Sequence, residues 1–416
     1  MIDLIKKIDG FGKNVIFVFI STSLANLFGL IYQLFIAHRL DPAEFAAFNT
    51  LLSILMLVSS PLSTLQTAIV KYSSQYNANN NTEEVKALLS GLLKKAIFFA
   101  VLTFLAYCLF NSYITEKLKI TSALSGYILA LLLAFSWLSP VFSGAIQGFE
   151  LFNWYNCISI VTGILKLMFS VLFIMAGFAI AGALGALLAA TLVGIALSVF
   201  PLRRFIVWNI KTEEINFNEV FFFMFPIAIG SFCFISMVSM DMILVKYFFT
   251  AVDAGLYSLA QMVGKIFLFL PAAISIVMFP KTSGLNARNL DTTVILKRSL
   301  SYAAVLSIIA SLGYNLFPAF VLKILTGKAY PESIMLGRLF SISMVFFALL
   351  LILITYFLSI KDLRFIKYLI ALTLIEFIAI VLFHRNLFQV QIILCIVAFS
   401  LFLIHLRLVF SRREFP

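Results

Sequence analysis

Long apolar runs recur along this chain, each cut off by a short break that is polar or rich in Gly, Pro and Asn, such as Asn77–Glu84 or Lys211–Glu214. A run of about 20 apolar residues matches the ~30 Å hydrocarbon layer of a bilayer. Inside that layer no water bonds the backbone, so such runs fold as helices. Twelve spans are expected, at about 13–38, 43–70, 88–113, 122–147, 151–177, 180–201, 220–249, 254–280, 294–316, 332–359, 364–383 and 387–410. The implied fold class is all-α integral membrane. Composition agrees, with 62% hydrophobic and only 12% charged residues, where soluble domains carry roughly 25% charged. The first run, Val15–Ala37, is followed directly by His38-Arg39 with no small-residue cleavage site. It reads as a retained span, not a cleaved signal.

A net charge of +12 would suggest nucleic acid in a soluble protein. Here the basic residues sit in the breaks between spans. Twenty of the thirty Lys and Arg fall on the side of the N-terminus and the even-numbered loops, eight on the other, and Lys166 and Lys265 lie within spans. The positive-inside rule then places both termini in the cytoplasm, in a multi-pass protein of the cytoplasmic membrane with no nucleic-acid partner.

The chain also repeats itself. Phe48 precedes Pro61 by 13 residues, and Lys71-Tyr72-Ser73 follows; Tyr257 precedes Pro271 by 14, and Lys281-Thr282-Ser283 follows. Span 2 thus matches span 8, and an offset of six spans preserves orientation. The expected organisation is an N-terminal lobe of spans 1–6 (residues 1–201), a cytoplasmic linker (202–219) that is charged and amphipathic, and a C-terminal lobe of spans 7–12 (residues 220–416). Parallel repeats of this kind occur in secondary transporters, with a site between the halves.

The hairpin Phe225–Pro280 carries one charge in each arm, Asp241 and Lys265, at about 12 Å and 16 Å from the break Thr250–Gly255 if both arms are helical. A charge at bilayer depth costs roughly 2.5–3.5 kcal/mol and usually faces a bundle interior or a wet cavity. Lys166 and Lys265 are therefore read as lining a shared cavity. Asp241 admits three roles: a structural partner for Lys246 or Lys265, a site for a coupling proton or sodium ion, or an acceptor for a sugar hydroxyl. Glu376 is a second coupling-ion candidate, though a carboxyl near a span end also suits a structural pair. Lys246 and Arg338 read as snorkelling to the outer surface.

Polar residues fall in stripes at helical spacing. Asn156, Ser159, Gly163, Lys166 and Ser170 share one face of span 5; Ser136, Ser139, Ser143 and Gln147 share one of span 4; Asn26, Gly29 and Gln33 align in span 1; Tyr257, Gln261 and Lys265 align in span 8. Ser and Gly alone read better as interhelical glue. The candidate substrate-binding residues are Lys166, Lys265, Asp241, Gln261, Asn26, Gln33, Asn156 and Tyr257.

No enzyme is expected. The chain has no GxxxxGK[ST] loop for nucleotide. His38, His384 and His405 lie singly near span ends, and Cys108, Cys157, Cys233 and Cys395 are scattered in apolar runs without metal spacing. No metal site and no cofactor is predicted, apart from a coupling H+ or Na+.

Four stretches carry a family resemblance. Leu30-Ile31-Tyr32-Gln33-Leu34-Phe35-Ile36-Ala37-His38-Arg39-Leu40-Asp41-Pro42-Ala43-Glu44-Phe45 resembles a pattern of a small residue, Arg, then Leu-Gly-Pro-x-Glu-Tyr, with Asp41 for the usual Gly and Phe45 for the usual Tyr. Gln147-Gly148, the group Asp241, Gly255-Leu256-Tyr257 and Ala260, and Phe279-Pro280-Lys281 are similar to its other signatures. The chain resembles the polysaccharide flippase family (Wzx-like) of the MATE/MOP exporter superfamily. The resemblance implies a two-lobed, MATE-like bundle that moves a polyprenyl-pyrophosphate oligosaccharide by alternating access, for surface polysaccharide biosynthesis. It also implies membrane lipids, a polysaccharide polymerase and glycosyltransferases as partners. The rival readings are a MATE-type exporter of organic cations, which wants several cavity acids, a lipid II flippase, and a non-transporting scaffold.

Overall fold

The computed structural model describes residues 10–78, 81–206, 217–269 and 272–411. Among them are fifteen helices and no strand. The helices are α1 (Gly10–Arg39), α2 (Pro42–Ser59), α3 (Leu62–Ala78), α4 (Thr82–Lys117), α5 (Ala123–Gly148), α6 (Phe152–Met175), α7 (Ala179–Leu202), α8 (Phe217–Phe248), α9 (Ala251–Phe269), α10 (Ala272–Ala287), α11 (Thr293–Leu316), α12 (Pro318–Thr326), α13 (Pro331–Ser359), α14 (Phe365–Leu382) and α15 (Leu387–Ser411). Most of the linker read at 202–219 lies outside the described residues.

Eleven of these helices are long and apolar enough to cross a membrane, among the described residues. Ten expected spans correspond to single helices. The other two, 43–70 and 254–280, each arrive as two helices. Span 2 divides into α2 and α3 around Ser60-Pro61, and span 8 is described as α9 and α10, with residues 270 and 271 outside the described residues. Proline disfavours the helical conformation of the residue before it and donates no backbone N–H, so the apolar run of span 2 ends a helix there.

The chain forms two compact units, residues 1–40 with 58–228, and residues 41–57 with 229–416. In the first, α5 packs against α3, α4 and α7, while α6 packs against α7 and α1. In the second, α13 packs against α9, α10, α11 and α15, while α14 packs against α15. The span pairings 2–3, 2–4, 3–4, 4–6 and 5–6 recur as 8–9, 8–10, 9–10, 10–12 and 11–12. The fourth span of the second set, α13, is the most buried candidate span of that set, and its counterpart α5 shares the highest burial of the first set with α2. The core of the second unit gathers Phe340, Phe347 and Phe357 of α13 with Phe365 of α14 and Leu394 and Leu401 of α15.

The second unit also takes in α2. Asn49 Nδ2 donates to Ser258 Oγ of α9 at 2.7 Å, both side chains buried. Counted from the repeat anchors Phe48 and Tyr257, Asn49 and Ser258 are equivalent positions, so this bond joins a residue to its own repeat partner. Gly255 lies against Pro42: a Cβ at Gly255 would stand 2.8 Å from the Pro42 carbonyl carbon.

Candidate functional site

The first unit holds a cavity of about 400 Å³ among α1, α3, α5, α6 and α7. Helix α6 supplies Tyr155, Ser159, Thr162 and Lys166 to its wall, a stretch of about 16 Å along the helix axis. Ser139 and Ser143 come from α5, Thr191 and Ser198 from α7, Asn26 from α1 and Gln66 from α3. Lys166 is the one charged residue among those lining it.

The hydroxyls on this wall have a preferred polarity. Thr162, Ser143, Thr191 and Ser198 each donate their proton to the backbone carbonyl four residues earlier, at 2.7–2.9 Å. That habit is common for Ser and Thr within helices. It leaves the oxygen lone pairs free, so the wall presents acceptors, which suit a ligand rich in hydroxyl donors.

Lys166 is held without an acid. Its Nζ stands 5.1 Å from the Tyr32 ring centroid, and Tyr32 in turn donates its hydroxyl to Ala183 O at 2.8 Å. Among the described residues Lys166 forms no salt bridge. A Cβ on Gly29 would come within 3.3 Å of the ammonium, so the missing side chain there leaves the space that Lys166 fills.

The second unit holds a different cluster. Asp241 of α8 is fully buried. Tyr257 Oη donates to Asp241 Oδ2 at 2.8 Å, and Gln261 Nε2 reaches both carboxylate oxygens at 2.9 Å. Tyr257 and Gln261 are one turn apart on α9, which returns beside α8 after a short break, so both meet the same acid. Lys265, one turn further, lies within electrostatic range of Asp241 but forms no direct ion pair with it. Glu376 of α14 is also fully buried, interacts with the charge of Asp241, and has no hydrogen-bond partner on either oxygen.

The predicted residues fall in both units. Lys166 and Asn26 line the cavity of the first unit; Gln33 and Asn156, in the same unit, do not. Asp241, Tyr257, Gln261 and Lys265 gather in the second unit. Of the roles open to Asp241, direct pairing with a lysine is not what the geometry gives, since its bonded partners are a hydroxyl and an amide. Lys246 does not snorkel: it is 1% exposed and held by an interaction within the protein. Sequence reading missed Gln66, Thr191 and Ser198 on the cavity wall. For α7 the signal was present, because Thr191, Gly194 and Ser198 recur at steps of three and four.

A family model described as "Polysaccharide biosynthesis protein" matches residues 11–285. This chain belongs to the polysaccharide biosynthesis protein family. The match covers the first unit from residue 11 onward and the part of the second that carries Asp241, Tyr257, Gln261 and Lys265. Among curated proteins, none matches this family member. Its fold is shared with solved transporters of the MOP superfamily. One is a multidrug resistance MATE family transporter in an inward-facing conformation, 14% identical over 94% of this chain and 96% of that one, with TM-score 0.74. Another is the lipid II flippase MurJ in an inward closed conformation, 15% identical over 96% of this chain and 88% of that one, with TM-score 0.71. A third is a MOP superfamily transporter from Pyrococcus furiosus with a binding pocket described as of reverse polarity, 15% identical over 97% of each chain, with TM-score 0.62. At these identities the likeness establishes the MATE-type fold of a multi-pass membrane protein in this polysaccharide biosynthesis family.

Proposed function

We propose that this protein is a flippase that carries a lipid-linked oligosaccharide, a polyprenyl pyrophosphate bearing sugars, across the cytoplasmic membrane by alternating access. The observation that carries the reading is the composition of the first unit's cavity: one ammonium, Lys166, amid hydroxyls and amides, with no acid on the wall. An ammonium binds phosphate oxygens as a point charge. The acceptor-facing hydroxyls take hydrogen bonds from sugar hydroxyls, and the lipid tail stays in the bilayer. A MATE-type exporter of organic cations would want the opposite charge on that wall.

Nothing is bonded or cleaved in this mechanism. The protein exchanges inward-open and outward-open states, and flux has direction only if something binds the two states unequally. The buried acids Asp241 and Glu376 supply a place for a coupling ion. We assign it as a proton, because both Asp241 oxygens already accept hydrogen bonds within the protein and no group of three metal-binding side chains occurs among the described residues. The excess of Lys and Arg on the side of the N-terminus and the even-numbered loops supports cytoplasmic termini. A glycosyltransferase supplies the loaded carrier on that side, and a polymerase receives it on the other.

Deletion of the gene tests this reading. Lipid-linked repeat units should accumulate on the cytoplasmic leaflet, and re-expression should clear them. Intact glycan export in the deletion strain, with loss of dye efflux instead, would overturn the proposal.

A further inference from the structure

The Tyr257 hydroxyl has one proton and two acceptors. Asp241 Oδ2 lies 2.8 Å from it and Gln391 Oε1, on α15, lies 3.4 Å from it. Gln391 is fully buried, and its amide nitrogen donates to Ser343 Oγ of α13 at 2.8 Å. Ser343 directs its own proton at the carbonyls of Leu339 and Phe340, both at 3.2 Å. Its oxygen is therefore the acceptor, and this fixes the amide the other way round as well: Gln391 Oε1 is presented to Tyr257 as an acceptor, with no other donor on it among the described residues.

We propose that Gln391 is a positioning residue that acts on Asp241 through Tyr257 and links the protonation of that carboxyl to α13 and α15. This rests on the reading of Asp241 as a coupling acid. While Asp241 is ionised, it takes the Tyr257 proton, and Gln391 is left at the longer distance. When Asp241 takes up a proton from water, its Oδ2 becomes an O–H donor to the Tyr257 oxygen. The Tyr257 proton then turns to Gln391 Oε1, and that contact shortens. The proton count balances: one proton enters at Asp241 and the others change acceptor. The chain then runs in one sense from Asp241 through Tyr257 to Gln391, with Ser343 holding the far end of the amide.

The charged and titratable groups around this chain are few. On α9, Lys265 lies in electrostatic range of Asp241; on α14, Glu376 lies in range of both Asp241 and Tyr257. Helices α13 and α15 contribute Ser343 and Gln391, neither of which titrates.

The test uses the purified full chain in detergent and needs no substrate. Infrared titration follows the carboxylic-acid carbonyl band that Asp241→Asn removes. Gln391→Met keeps the bulk of the side chain and deletes the acceptor. It should move the pH of half-formation of that band downward by about one unit, a tenfold change. In a Tyr257→Phe background the same substitution should move it not at all. Should Gln391→Met fail to fold, Ser343→Ala, which frees the amide to turn, should move the midpoint in the same direction by a smaller amount. An unmoved midpoint in the folded variant, or a shift that persists without the Tyr257 hydroxyl, overturns the role of Gln391 alone. If Asp241→Asn removes no band at any pH, the coupling reading falls and takes this proposal with it.

Discussion

The ammonium of Lys166 stands 5.1 Å from the centre of the Tyr32 ring. Phosphate and tyrosine ring are compatible partners for one cation, since the ring holds the ammonium by its face and leaves the N–H donors aimed elsewhere. Lys166→Ala is expected to abolish flipping at unchanged membrane abundance, and Lys166→Arg to retain part of it. The check is accumulation of lipid-linked repeat units on the cytoplasmic leaflet. Tyr32→Phe keeps the ring and removes the bond to Ala183, so it should cost about 1 kcal/mol of stability while flipping persists.

Lys265 balances a buried acid that it does not touch. It is 8% exposed and in electrostatic range of Asp241. Lys265→Ala is expected to abolish export without lowering abundance. In detergent the same variant should lose on the order of 1–3 kcal/mol, less than the 3–5 kcal/mol of a broken contact pair. Asp241→Asn added to it should recover part of that loss, read as melting temperature. Full export by Lys265→Ala removes the residue from the mechanism.

Glu376 keeps both oxygens without a hydrogen-bond partner in a fully enclosed place. A buried polar group without a partner costs free energy and persists where it has a task. Glu376→Gln preserves the shape and removes the charge. Folding stability should hold or rise slightly, whereas the response of transport to an imposed pH gradient should vanish. Proteoliposomes that still flip faster under the gradient with Glu376→Gln would restrict coupling to Asp241.

Two glycines should respond to alanine in opposite senses. At Gly255 the added Cβ meets backbone and ring atoms of Pro42 at 2.8 Å, and a backbone cannot rotate out of the way. Gly255→Ala should destabilise the protein by about 1–3 kcal/mol. Gly284, within α10, has nothing within 4 Å of that position, and Gly284→Ala should stabilise by up to about 1 kcal/mol through helix propensity. Melting temperatures of the two variants in one detergent check both.

The helices were legible because bilayer-length apolar runs leave little else to form. The interruption at Pro61 was legible in principle, since that proline had already anchored the repeat, but apolar residues continue on either side and the run read as unbroken. Asp241, Tyr257 and Gln261 were each visible as candidates, because α8 and α9 are neighbours in sequence and the two α9 residues are one turn apart, but their hydrogen bonds were not, since a lysine was read as the partner of Asp241. Gln391 and Ser343 were not, being lone polar residues in apolar spans whose only link to Asp241 is tertiary. On the cavity wall the stripe with Lys166 announced itself by its charge, whereas Thr191 and Ser198 sat at equally regular spacing without one.

The attachment of α2 to the second unit bears on any attempt to take the protein apart. Cutting the chain between Leu202 and Phe217 looks like a clean division into halves, yet neither fragment would own a complete unit. The C-terminal fragment would lack Asn49 and Pro42, leaving Ser258 without its bonded amide and Gly255 without its neighbour. The N-terminal fragment would keep a helix with nothing to receive it. Reassembly from separately made pieces therefore asks for an overlap: the C-terminal piece must be given residues 41–57, or the two must be synthesised together in one membrane.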